Sequence, residues 1–314
     1  MSSIAHLWKT LGQESNLSGF RRYKVEHFLD FYVGFDSDGR HAFLIVCSNQ
    51  PPLQSDMRSI TVRVQARDDG KWSLFLLLDD SKLFDVFDLL CNDLVESGSK
   101  VSSKTSALKC LFSRLAGWRQ LLEKGESTLL SQQEIRGLAG ELLYLKILIQ
   151  RYGEAAAVTG WVGPYRADQD FQINDAAWEV KTIRPGCGEV TIASERQLDA
   201  SARNIVLAVI ELASADPAMQ DAFNINALAR EVSGLLTPFF DLKLHYENLL
   251  FRVGYSPRSE YEAYSMILRD VSEFEVQRGF PALTASSLPN GVHSASFKLE
   301  LSACAAYKKI NEVG

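Results

Sequence analysis

Short apolar stretches separated by turn residues dominate the first third of the chain. Residues 31–48 predict two strands around a turn at residues 36–39, residues 60–66 alternate apolar and polar side chains, and residues 72–78 are almost entirely apolar. A repeat of two is typical of strands. These segments predict a small β-meander, which we interpret as a structural or partner-binding unit.

Further along the chain, the apolar side chains recur every three or four residues. This spacing predicts helices over residues 83–97 and 105–123. Ser131 and Glu134 have the spacing of a capping box, so a third helix should begin there and end near Gly153.

A polar connection at residues 124–130 separates the second helix from the third. We therefore expect two domains. Residues 1–125 form an N-terminal β-rich accessory domain with its following helices, and residues 126–314 form a second domain with a C-terminal extension.

The second domain alternates between strand and helix patterns. The apolar run at residues 204–212 is typical of a buried central strand. An amphipathic helix is expected before residue 236. The other predicted elements are strands at 167–173 and 178–183, a short helix at 194–201, and strands near 263–276 and 295–301.

Composition and charge limit the protein's class. Apolar residues make up 46% of the 314, the formal net charge is −6, and the five cysteines show no metal-binding spacing. Neither a signal peptide nor a membrane-spanning apolar run is recognisable. We expect a soluble, cytoplasmic protein that does not bind a membrane. Because nucleic-acid binding usually needs a basic face, any such surface must be local or depend on a metal ion or a partner.

An acid and a lysine lie two residues apart in the segment Trp178-Glu179-Val180-Lys181. Side chains alternate along a strand, so Glu179 and Lys181 share one face while Trp178 and Val180 lie on the other. Most such pairs are solvated surface charges, and this spacing alone carries little weight.

The preceding residues place a second acid beside the first. If Asn174 and Asp175 form a two-residue hairpin loop, counting outward sets Asp170 opposite Glu179, on the same face. Adjacent carboxylates repel each other unless a shared proton or a divalent cation compensates. Oxygen ligands of this kind suit Mg²⁺ or Mn²⁺.

Four motifs together resemble the PD-(D/E)XK nuclease superfamily, and more narrowly a bacterial group of its members. They are GELLYL on the helix after Ser131, W-x-G-P-x-x-x-x-x-D-F, WEVKT and IASERQL. The resemblance covers residues 131–212. It implies an α/β fold with a restriction-endonuclease-like α-β-β-β-α-β core and a mixed central sheet.

The same resemblance assigns roles to five residues. It implies that Asp170, Glu179 and Glu141 bind the metal, and that Lys181 and Gln197, on the following helix, complete the catalytic set. Gly140, beside Glu141, would let the first helix approach the sheet closely. Without the resemblance, Glu141 and Gln197 would be taken for surface residues.

Two departures from the superfamily pattern stand out. Pro164 lies six residues before the motif aspartate instead of next to it. Asp168 is a competing candidate on the same predicted strand face, and the hairpin count favours Asp170. Arg184 and Arg196 flank the predicted site and are candidates for phosphate contacts.

The expected function is a divalent-metal-dependent endonuclease that hydrolyses DNA phosphodiester bonds in bacterial restriction or phage defence. Its acidic charge suggests help with DNA binding from a homodimer or from protein partners of a defence system. The alternatives are an inactive interaction scaffold and a nuclease that acts on RNA or branched DNA.

Overall fold

The computed structural model describes residues 4–13, 19–52, 54–99, 101, 103–123 and 129–309. The chain divides into two compact units, Met1–Thr128 and Leu129–Gly314. Residues 124–128 of the predicted connection lie outside the described residues. Within the described part of the chain, no helix is both long and apolar enough to cross a bilayer.

The first unit contains a five-stranded antiparallel sheet in the order β1-β2-β3-β5-β4. The strands are β1 (Gly19–Tyr23), β2 (Asp30–Phe35), β3 (His41–Cys47), β4 (Ile60–Ala66) and β5 (Trp72–Leu78). The predicted meander is wrong because β5 pairs with β3 and leaves β4 at the edge. The nearly continuous apolar sequence of β5 suits this central position, and the polar alternation of β4 suits an edge.

Within the described residues of this unit, three α-helices accompany the sheet. They are α1 (Ile4–Gln13), α2 (Phe84–Ser97) and α3 (Lys104–Glu123). Phe31 and Phe43 stack within the core with ring centroids 5.6 Å apart. The indole of Trp8 on α1 donates to the carbonyl of Gly34 at 3.0 Å, which ties this helix to the sheet.

The second unit contains a mixed four-stranded sheet in the order β10-β9-β7-β6. Strands β7 and β9 are parallel, and the two other pairs are antiparallel. The strands are β6 (Phe171–Ile173), β7 (Ala176–Ile183), β9 (Asn204–Ser214) and β10 (Met266–Val276). Together the two units form a mixed α/β protein, and β9 is a buried central strand as predicted.

Helices cover one face of the mixed sheet. They are α4 (Gln132–Tyr152), α5 (Glu154–Thr159), α6 (Ile225–Leu235) and α7 (Phe240–Val253). The predicted capping box is confirmed, with the Ser131 side chain and Glu134 each bonded to the other's backbone N–H. Apolar side chains from these helices and the sheet form one continuous core.

The opposite face of the sheet is also covered. Strands β8 (Glu189–Ile192) and β11 (Phe297–Glu300) form a separate antiparallel pair. They pack with Leu198 and Phe280 against the side chains of β7, β9 and β10. The predicted helix at 194–201 is wrong, because this segment consists of turns. The strand expected over 167–173 begins only at Phe171.

Candidate active site

A tight hairpin connects β6 to β7 in the predicted register. Ile173 pairs with Ala176, and Phe171 pairs with Trp178. The loop is Asn174-Asp175, and Asn174 takes the left-handed conformation with φ of 55°, which this residue type tolerates. The apolar residues of both strands therefore face the helix-covered core, where all four are buried: Phe171, Ile173, Trp178 and Val180.

Asp170 immediately precedes β6 and is fixed by its backbone and its side chain. Its carbonyl accepts from the N–H groups of Val162 and Gly163, both at 2.9 Å. Its Oδ2 accepts from the Val180 N–H at 2.8 Å. A Cβ on Gly163 would lie 3.0 Å from Asp170 Oδ1, so the glycine leaves room for the carboxylate next to β7.

Glu179, in the middle of β7, is 1% exposed. Its Oε1 lies 2.7 Å from Lys181 Nζ. Its Oε2 is buried and has no hydrogen-bond partner among the residues that the structure describes. An orphaned carboxylate oxygen in a protein interior is unfavourable unless a proton or a cation meets it.

Gln197 reaches Lys181 from the turn segment that replaces the predicted helix. Lys181 Nζ lies 3.3 Å from Gln197 Oε1. The same amide oxygen accepts from the Ala193 N–H at 2.7 Å. Gln197 therefore stands beside the lysine although its segment is not helical.

Glu141 faces the site from α4. Its Oε2 accepts from the Trp161 indole N–H at 2.8 Å. The helix lies close to β7, since a Cβ on Gly140 would come within 2.0 Å of Thr182 Oγ1. This close approach was predicted from the glycine. The Glu141 carboxyl, whose pKa burial raises most, lies near enough to Asp170 and Glu179 for their charges to raise that pKa further.

The three carboxyl groups perturb each other. Burial, and then repulsion from Asp170, raises the pKa of Glu179 to about 8 despite the nearby Lys181 ammonium. Burial also raises the pKa of Asp170, against the hydrogen bond from Val180. The pKa of Glu141 lies well above its usual range, mainly through burial and then through repulsion from Asp170. Strongly perturbed groups of this kind cluster at functional sites.

These side chains suit a hard divalent cation by their chemistry. When the three carboxyl groups are ionised, they and one lysine leave an excess of negative charge, and Glu179 Oε2 lacks a partner within the described chain. As positioned, however, no three acidic, histidine or cysteine side chains of the described residues form a group that could hold a metal ion. The three-carboxylate metal site therefore stays a prediction.

Asp168 lies outside the cluster. Its side chain is exposed and precedes the strand, whereas Asp170 is partly buried. The prediction that both share one strand face is wrong, because regular pairing begins after Asp170. Arg184 and Arg196 are exposed as well.

Two buried residues near the site were not assigned a role from the sequence. Trp161, fully buried, holds the Glu141 carboxylate. Gln169, 6% exposed, donates to the turn that carries Gln197. Trp161 is the first residue of the W-x-G-P motif, so the sequence singled it out but did not indicate its role. The glutamine follows no pattern, and only tertiary contacts reveal it.

The fold and site define a class: a mixed α/β protein whose central sheet carries two acids and a lysine. We call the β6–β7 hairpin, with Asp170 just before β6 and Glu179 in β7, the acid hairpin; Lys181 lies two residues after Glu179. The chain matches the model of the family described as "Putative PD-(D/E)XK family member, (DUF4420)" over residues 4–302. It therefore belongs to this family, as the sequence motifs predicted. Membership indicates a nuclease-type hydrolase. Neither the curated proteins nor the solved structures yield a match to this chain.

Proposed function

We propose that this protein is a divalent-metal-dependent endonuclease that hydrolyses DNA phosphodiester bonds. The observation that carries the proposal is the convergence of Asp170, Glu179 and Lys181 on the sheet, where Glu179 is buried and the other two are partly buried. Carboxylates that burial and mutual repulsion hold at high pKa gain most from a cation. Acids in exposed surface ion pairs do not show such raised pKa values.

The order of elements supports a restriction-endonuclease-like core. In chain order α4, β6, β7, β8 and β9 follow the superfamily scheme. The turn segment 194–201 stands in place of the second helix, and β8 pairs with β11 outside the central sheet. The proposed core thus keeps the elements that carry the site.

Each side chain then has a defined task. Asp170 and Glu179 would hold Mg²⁺ or Mn²⁺, with Glu141 as a third acid. Such a cation lowers the pKa of a water and stabilises charge on a phosphate. Lys181 orients the attacking water or offsets charge that develops on the phosphate. Gln197 keeps the lysine ammonium in place through its amide oxygen.

DNA binding has to overcome the charge of the site-bearing unit. Residues 129–314 carry 17 basic and 23 acidic side chains, whereas residues 1–128 carry 16 of each. Arg184 and Arg196 would contribute local phosphate contacts. We infer that a homodimer, or protein partners in a restriction or phage-defence system, supplies the remaining attraction.

A plasmid assay tests this proposal. Wild-type protein is incubated with supercoiled DNA and Mg²⁺ or Mn²⁺, with EDTA as the blank, and with single-stranded RNA and branched DNA as parallel substrates. We expect nicked and linear plasmid with metal only. Cleavage of RNA or of branched DNA alone would instead assign the site to that substrate.

One structural feature favours a second candidate, an inactive interaction scaffold. Each carboxylate has an internal partner: Trp161 for Glu141, Val180 for Asp170 and Lys181 for Glu179. A scaffold needs no more than these internal contacts, although Glu179 Oε2 has no partner among the described residues. Calorimetric titration of Mn²⁺ into the wild type separates the two candidates, because these contacts alone predict no binding.

A further inference from the structure

Gln169 is a buried polar residue that the proposed chemistry does not use. Its Nε2 donates to the carbonyl of Arg196 at 2.9 Å and reaches the carbonyl of Gln197 at 3.4 Å. Its Oε1 accepts from the Gln172 side chain at 3.3 Å. One amide therefore connects the residue before Asp170 to the segment that carries Gln197.

That segment lacks the support that a helix would give it. Residues 194–201 form turns, with only two short-range backbone bonds, from Gln197 to Ser194 and from Asp199 to Arg196. A helix would satisfy the carbonyls of this segment internally. Here the Gln169 amide, from outside the segment, adds a second donor at the Arg196 carbonyl and reaches the Gln197 carbonyl.

Two other residues, Glu195 and Leu198, also hold the segment. The Glu195 carboxylate accepts from the N–H groups of Ser294 and Ala295. Leu198 is fully buried in the second core layer. The contact from Gln169 differs from these two because Gln169 is the residue next to Asp170. It therefore sets the distance between Gln197 and the acid hairpin.

The position of Gln197 in turn affects Lys181. Gln197 Oε1 is shared between the lysine ammonium, 3.3 Å away, and the Ala193 N–H. A shift of the backbone at Gln197 by about one ångström would leave the oxygen with the backbone donor and out of reach of the ammonium. Of its two contacts described here, the lysine ammonium would then keep only the ion pair with Glu179.

We propose that Gln169 is a positioning residue that acts through Gln197 to hold Lys181. The inference rests on the proposed function, since Lys181 matters for catalysis only in a nuclease. It adds a residue that touches neither the substrate nor the metal. Groups of this kind that orient a catalytic side chain typically contribute roughly 10- to 100-fold to activity.

A double-mutant cycle tests the route. The variants are Gln169→Met, Gln197→Met and the double change, with Gln172→Met as matched control because that amide contacts Gln169 but not the turn. We expect each single change to lower kcat roughly 10-fold with KM nearly constant. The double variant should lose no more than either single one, since both break the same link. The control should stay within about twofold of the wild type.

A second readout does not depend on cleavage. In protein labelled at the lysine Cε, the Lys181 signal is assigned by its absence in Lys181→Ala. We expect the signal to move to the same position in Gln169→Met and Gln197→Met. Gln169→Asn keeps a polar side chain that is one methylene too short to reach the turn, so it should shift the Lys181 signal in the same way. It replaces Gln169→Met in the experiment if the methionine variant does not fold.

Several results would overturn this role. One is a Gln169→Met protein that cleaves like the wild type, and another is a double variant whose loss is the product of both single losses. A Lys181 signal that moves in Gln197→Met but not in Gln169→Met would also exclude it. Because that last result needs no activity, it is distinguishable from failure of the nuclease proposal itself.

Discussion

Replacing Glu179 by glutamine should make the stability of the metal-free protein less dependent on pH. The pKa of Glu179 is about 8 in the folded state, against an ordinary value of 4.5. The folded state therefore holds the proton more tightly, and this contribution is lost as the pH rises from about 4.5 to 8. For the wild type the loss between about pH 5 and pH 9 amounts to about 4 kcal/mol. The glutamine side chain of the variant does not titrate in this range and avoids the loss.

Urea unfolding of both proteins at several pH values, with EDTA present, measures this difference. The free energy of unfolding of Glu179→Gln minus that of the wild type should rise by about 4 kcal/mol across the range. The ion pair with Lys181 forms only as Glu179 ionises, so its effect is already contained in the pKa of about 8 and adds no separate trend. Mn²⁺ should restore the wild type at high pH and leave the variant unchanged. Parallel pH profiles would refute the raised pKa and, with it, the electrostatic argument for a cation.

Four further substitutions, one of them a control, test separate parts of the structure. Asp170→Ala should abolish Mn²⁺ binding in calorimetry, whereas the exposed Asp168→Ala should leave it nearly intact; equal losses would contradict the assignment. Gly140→Ala should destabilise the protein by about 1–3 kcal/mol in thermal unfolding, because its Cβ meets Thr182, and a neutral effect would mean that α4 can shift freely. Tyr144→Phe should cost about 1–3 kcal/mol, since Tyr144 donates to the buried Glu273 carboxylate at 2.9 Å; unchanged stability would show this bond to be dispensable.

The acid hairpin could be predicted from the sequence because two independent patterns agree. A two-residue loop of Asn and Asp fixes the register, and the apolar alternation of Phe171 and Trp178 fixes the face. A slip by one residue would expose both aromatic rings. The loop residues and the apolar alternation therefore determine the register of the hairpin without any tertiary contact.

The sequence predictions were wrong where tertiary contacts override the local sequence pattern. Residues 194–201 have helix-forming side chains, yet the carboxylate of Glu195 and the amide of Gln169 hold the segment in turns. The sequence pattern predicted a core on the Trp178 and Val180 face of β7, but β8 and β11 pack against the opposite face as well. No periodicity in the sequence reveals a second layer contributed from residues 297–300.

The order of strands in the first unit was missed for a different reason. The sequence contains the signal, since β5 is apolar throughout while β4 carries Arg63 and Gln65 on alternate positions. A meander was expected because consecutive strands usually pair. The greater burial of β5 decided the outcome.

The central claim is that Lys181 serves catalysis in a metal-dependent nuclease, and cleavage of supercoiled plasmid by Lys181→Ala tests it most directly. The variant should keep its fold and its Mn²⁺ affinity in calorimetry but lose on the order of 10² to 10³ in rate. Lys181→Arg should rescue poorly, because a guanidinium is broader and differently shaped than an ammonium. Lys298→Ala, at an exposed position, should cut like the wild type. Cleavage by Lys181→Ala as fast as the wild type would contradict the account.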